Sequence, residues 1–74
     1  MKITVKLFAT LREGRFDKKN IECAEGATVD TILKELDIPK KKASIIFVNN
    51  RHANLDRELS DDDVLAFFPP IGGG

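Results

Sequence analysis

Between Thr28 and Pro39 the chain carries its one secure helical stripe, with Val29, Ile32, Leu33 and Leu36 at i, i+3, i+4 and i+7. Thr28 is placed to cap the free amides of the first turn, and Asp30 complements the positive end of the helix. Pro39 is expected to end it, since proline lacks an amide hydrogen and disfavours helical geometry at Ile38. Lys40, Lys41 and Lys42 then read as a solvated cap for the negative end. A chain of 74 residues cannot enclose a core with one helix, so a sheet must supply the rest.

Strand patterns are present on both sides of the helix. Residues 2–8 alternate, with Ile3, Val5 and Leu7 on one side and Lys2, Thr4, Lys6 and then Phe8 on the other, the two-residue period of a half-buried strand. Ala9 to Lys19 reads as an irregular connection with one helical turn near Ala9–Glu13, and Asn20–Ala24 as a short second strand with Ile21 and Cys23 on one side. Ser44–Val48 predicts a third strand, apolar on both faces. Asn49 and Asn50 tolerate the positive φ of a tight hairpin into a short strand around His52. Leu55 and Leu59 are candidate core residues, and Val64–Phe68 is the last strand, stopped by Pro69 and Pro70.

The pattern defines an α+β domain over residues 1–70: a mixed sheet of about five strands with the helix across one face, followed by a flexible Gly-rich tail at 71–74. One helix covers one face only. Phe8 lies on the lysine side of the first strand and the final strand is apolar both ways, so some apolar surface is expected to stay open as a contact site for another protein.

Charge and cysteine content exclude several functions. Twelve basic and twelve acidic side chains leave a net charge of zero, which argues against nucleic acid and membrane surfaces as partners. The signs are unevenly spread, with ten Lys/Arg against seven Asp/Glu in residues 1–42 and two against five in 43–74. One Cys and one His cannot assemble a disulfide, an iron–sulfur cluster or a structural zinc site, so no metal site is expected. No apolar run approaches ~18 residues, and the chain reads as cytoplasmic.

Catalytic constellations are equally thin. Cys23 reads as an inert core thiol, His52 as a surface or hairpin residue, and Asp61, Asp62 and Asp63 as a solvated turn without the downstream Glu of a calcium loop. Alone, the chain is not expected to be an enzyme. What remains is the end: six residues from Pro69 to Gly74 can reach ~20 Å when extended. Three side-chain-free positions, Gly72, Gly73 and Gly74, could thread a narrow channel from a root stiffened by prolines. Composition leaves two readings open, a frayed terminus or an arm that delivers the Gly74 carboxylate.

The stretch Lys6 to Glu13, the helix Thr28 to Leu36, the hairpin entry at Val48 and Asn49 and the closing run Asp63 to Gly74 resemble the small subunits of molybdopterin synthase, ubiquitin-like β-grasp sulfur carriers related to the thiamine sulfur carrier. The closing Phe67, Phe68, Pro69, Pro70, Ile71 and glycines carry the resemblance furthest. It implies a mechanism. A ubiquitin-activating-like adenylyltransferase uses ATP to convert the Gly74 carboxylate into a transient acyl-adenylate. Sulfur from a donor such as a cysteine desulfurase displaces AMP to leave a thiocarboxylate, and the tail then enters the large catalytic subunit to build a dithiolene for molybdenum or tungsten. No cofactor is held permanently.

The resemblance also implies that Phe8, Arg12, Phe68, Pro69, Pro70 and Ile71 contact partners, with His52 standing where an aliphatic residue would extend the patch. Asp62 replaces a common glycine, which suggests a different turn, and Gly72 replaces a small non-glycine residue. Delivery to thiamine thiazole or another acceptor, a ubiquitin-like protein modifier and a plain interaction domain are the alternatives.

Overall fold

The alternation at the N-terminus becomes the centre of a sheet. The computed structural model describes residues 1–70, and in it β1 (Lys2–Leu7) buries Ile3, Val5 and Leu7 almost completely while Lys2, Thr4 and Lys6 face the other way. It is followed by a 3-10 turn (Ala9–Arg12), β2 (Lys18–Glu22), α1 (Val29–Glu35), a second 3-10 turn (Lys40–Lys42), β3 (Ile45–Val48), β4 (Arg51–His52) and β5 (Val64–Phe68). The strand order is β2-β1-β5-β3-β4, with β1 and β5 parallel at the centre and the other pairs antiparallel. The core joins β1 to Leu65 and Phe67 of β5, Ile46 and Val48 of β3, and Val29, Ile32 and Leu33 of α1. Each such side chain contributes ~1.5–3 kcal/mol by leaving water.

The helix begins as expected and ends sooner. Thr28 and Thr31 cap reciprocally, Thr31 N donating to Thr28 Oγ1 at 3.3 Å and Thr28 N to Thr31 Oγ1 at 3.1 Å. The remaining free amides go to the loop before β5, Val29 N to Arg57 O and Asp30 N to Leu55 O. At the other end Asp37 takes φ 57°, with Asp37 N bonding Lys34 O and Ile38 N bonding Leu33 O. That left-handed cap stops α1 at Glu35, before Pro39 can act, and leaves Leu36 half-buried as the last turn's cap.

Three expectations change, while Leu55 and Leu59 both pack with the core as expected. The second strand lies at Lys18–Glu22, earlier than Asn20–Ala24. Cys23 packs against the core margin and is only half-buried; burial is the main cause that pushes its thiol pKa up, keeping it protonated. The lysine run forms its own turn, and Lys40 reaches back to Asp30 at the start of α1, its Nζ 3.4 Å from Oδ1, instead of capping the helix end. Leu59 is buried, whereas Leu55 lies at the edge of the core.

The acidic turn is the largest correction. Asp63 is 7% exposed and ties two loops together. Its Oδ1 accepts from Asn49 Nδ2 at 2.9 Å and its Oδ2 from Ser60 N at 2.7 Å, while Asn49 Oδ1 accepts from Val64 N at 2.9 Å. Asn49 and Asn50, at φ 52° and 69°, make the hairpin turn whose side chain this carboxylate grips. Asp61 Oδ1 accepts from Lys2 N, and Asp62 N donates to Lys2 O at 2.7 Å, so only the Asp62 side chain stands free of these bonds; at φ 68° Asp62 holds the left-handed backbone a glycine would take.

Two stability measurements follow. Asp63→Ala should lower the unfolding free energy in urea by ~1.5–3 kcal/mol, because Asn49 and Ser60 lose a charged, buried acceptor; an unchanged midpoint would contradict the latch. Asp30 is held below the ordinary carboxylate range, chiefly by the hydrogen bond from Lys34 and then by Lys40. A folded-state pKa below the unfolded one contributes stability above the unfolded value of ~3.9, and this is lost as pH falls through the folded value. The stability gap between wild type and Asp30→Asn should therefore close below about pH 4, and a gap that persists in acid would contradict the pairing.

Candidate docking face and tail root

The face of the sheet that α1 leaves uncovered carries an aromatic cluster. β1 and β5 run in parallel with Leu7 opposite Phe67, so the next residues, Phe8 and Phe68, emerge side by side. Their rings stack with centroids 4.3 Å apart and planes within 9°. Phe47 of β3 meets Phe68 edge-on at 5.7 Å, and His52 of β4 leans on Phe47 at 4.5 Å. Phe8, Phe47 and Phe68 are all half-buried in a chain where Phe67, one residue away, is fully enclosed. With Lys6, Asn50 and Ala66 the three phenylalanines line an open hollow of about 220 Å³.

Phe8, Phe68 and His52 are thus brought together on one surface. Phe47 joins them, and the signal for it was the two-sided apolar pattern of β3, whose inner residues are Ile46 and Val48 and whose outer ones are Ile45 and Phe47. Arg12 lies apart, in the turn after Phe8, exposed and 3.9 Å from Asp17. Pro69 and Pro70 leave the sheet beside a different hollow of about 340 Å³, shared with Arg15, Lys41 and Lys42. The sequence-predicted sites Ile71, Gly72, Gly73 and Gly74 lie outside the described residues.

The surface is suited to contact and poorly suited to chemistry. Among the described residues no group of three or more His, Cys, Asp or Glu could hold a metal ion, and no helix is long and apolar enough to cross a membrane. The aromatic rings offer rigid apolar area with one imidazole and one lysine at the rim, which is how a protein partner is gripped.

One helix laid over a mixed five-stranded sheet, with parallel first and last strands, is the ubiquitin-like β-grasp fold of small sulfur carriers. The ThiS family profile matches residues 5–74, and the chain belongs to the ThiS family. Its structure is similar to that of a Pyrococcus furiosus protein assigned as molybdopterin converting factor subunit 1, at 33% identity and TM-score 0.76 over 96% of this chain and 99% of the other. SAMP1 from Haloferax volcanii matches at 27% identity and TM-score 0.77 over 100% of both chains. One chain of a protein–protein complex of subunits 1 and 2 of the molybdopterin-converting factor from Helicobacter pylori 26695 matches at 27% identity and TM-score 0.67, over 100% of this chain and 100% of that one. No curated protein sequence matches.

The one-sided placement of the rings gives a direct check. Phe67→Ala should cost ~3–5 kcal/mol in urea unfolding, and Phe68→Ala, the adjacent residue, ~1–2 kcal/mol. Equal losses would contradict the division between inner and outer faces.

Proposed function

We propose that this chain is the sulfur-carrying small subunit of a molybdopterin synthase, and that Gly74 bears the cargo. The observation that carries the reading is the continuity of three features: the aromatic face, the two prolines that leave it and the glycines that follow. The likeness to a molybdopterin converting factor subunit 1 and to a two-subunit complex supports the same assignment.

The chemistry needs an activated acyl group, since a carboxylate is a poor electrophile. On a ubiquitin-activating-like adenylyltransferase, an oxygen of the Gly74 carboxylate attacks the α-phosphorus of ATP and pyrophosphate leaves. The terminal sulfur of a donor's persulfide, such as that of a cysteine desulfurase, then attacks the carbonyl carbon and AMP departs; a second thiol cleaves the resulting acyl disulfide, forming a disulfide with the donor's cysteine and releasing the thiocarboxylate. Its sulfur is the nucleophile toward the cyclic pyranopterin precursor in the large subunit, whose own groups catalyse the step. Water then hydrolyses the thioester so formed, breaking the acyl carbon–sulfur bond, leaving the sulfur on the pterin and restoring the carboxylate, and the chain is recharged. The aromatic face provides the grip, and residues without side chains provide the reach.

The experiment is an intact-mass measurement after incubation with the activating enzyme, ATP and the sulfur donor. Replacement of one oxygen by sulfur at the C-terminus is expected, and deletion of Gly74 should abolish it with no change in melting temperature. No mass change in the full chain would overturn the reading. A stable gain in mass on other proteins would favour the modifier function that the likeness to SAMP1 brings into view.

A further inference from the structure

The cations of this chain are not all quenched in the same way. Lys34 and Lys40 share Asp30, and Arg12 faces Asp17. Arg15, Lys41 and Lys42 have no ion-pair partner among the described residues, and all three border the same hollow of about 340 Å³ beside Pro69 and Pro70. Glu13 is the one acidic residue lining it among the described residues. Two separate segments build this collar. The turn after Phe8 supplies Arg15, whose N is held by Arg12 O at 2.9 Å and whose guanidinium donates to Leu11 O at 3.3 Å. The second 3-10 turn supplies the lysines, with Lys42 N bonded to Pro39 O at 2.9 Å.

The opposite end of the sheet gathers four carboxylates, Glu22, Asp61, Asp62 and Asp63, against Lys2, Arg51 and the amino terminus, and so carries a small negative excess. β1, β5 and β2 place Lys2, Val64 and Glu22 there by register, and beside them stand Asp61, Asp62 and Asp63, the first bonded to Lys2 N. The molecule is therefore neutral in sum and polar along the axis on which β5 points to the prolines. A neutral protein with such a dipole is oriented by a charged partner before contact, and its encounter rate responds to salt although its net charge is zero.

Geometry then fixes what the collar meets. A chain extends at most ~3.3–3.6 Å per residue, so four residues after Pro70 can reach no farther than ~14 Å. Any partner that takes them in must bring the rim of its channel against the root of the tail, where Arg15, Lys41 and Lys42 stand. From this we infer that the collar is a docking surface for an acidic rim, Asp and Glu side chains around the entrance through which the receiving large subunit admits the tail. The inference rests on the sulfur-carrier reading. It assigns the two surfaces different work: the aromatic face holds the complex together, and the collar sets how fast and in which orientation it forms.

The test compares two variants of equal net charge. Lys41→Glu reverses one charge in the collar, and Lys2→Glu reverses one at the far end of the sheet, both on exposed side chains. Association of each with the molybdopterin synthase large subunit from the same organism is followed by stopped-flow at rising ionic strength. At low salt the Lys41→Glu rate constant should fall about tenfold below wild type while Lys2→Glu stays within about twofold, and the three should converge as salt screens the field. Equal slowing of the two variants, or rates for all three that ignore salt, overturns the collar. Failure of wild type to bind the large subunit at any salt removes the sulfur-carrier reading instead. Circular dichroism of both variants identifies a folding defect, and Lys42→Glu, on the same turn, then replaces Lys41→Glu.

Discussion

The parallel pairing of β1 with β5 is the contact on which the other features depend. It sets the first strand of the chain against the last at the centre of the sheet, with Val5 beside Leu65 and Leu7 beside Phe67, all essentially without solvent exposure. Parallel neighbours need a long crossover, and here it includes the helix that seals one face. The register fixes more than the core. Because the strands advance in step, the residues that follow Leu7 and Phe67 emerge together, and the stacked pair Phe8 and Phe68 is a direct product of that alignment. A slip of β1 by one residue would turn Phe8 inward, expose Leu7 and break the stacked pair.

Much of this could be read from the residue pattern because it is written in short periods. The alternation in β1, the stripe of α1, the Asn49–Asn50 turn and the prolines after Phe68 are local statements, and each stands within a residue or two of its expected place. Phe8 could be placed on the open face because parity with Lys2, Thr4 and Lys6 is a local property as well. What escaped the pattern depends on residues distant in sequence. Asp63 looks like any aspartate in an acidic turn, and only the approach of Asn49 from 14 positions away makes it a buried latch. Lys40 looks like a helix cap until the fold brings it to Asp30. Phe47 was within reach, since β3 is apolar on both sides, but its contact with Phe68 requires knowing that β3 lies next to β5.

Size explains why the functional surface is what it is. With one helix and five strands, the chain has enough apolar material to close one face of the sheet and none to close the other. Larger proteins hide a second face with more helices; here, among the described residues, that face stays open. The same economy separates framework from chemistry. The body supplies rigidity and the rings an open apolar face, and on the proposed reading the reactive group belongs to neither. Membership of the ThiS family and the likeness to a two-subunit complex agree with a protein whose work is done in company.

The route by which the chain leaves the sheet has a mechanical side. Pro69 continues directly from β5, which is flanked on one edge by β1 and on the other by β3. A pull on the prolines along the strand loads both ladders in shear, so their hydrogen bonds must yield together and cannot peel one at a time. Traction applied at an edge strand such as β4, with two residues paired on one side, would meet far less resistance. The prolines thus continue from the strand least able to be drawn out of the body.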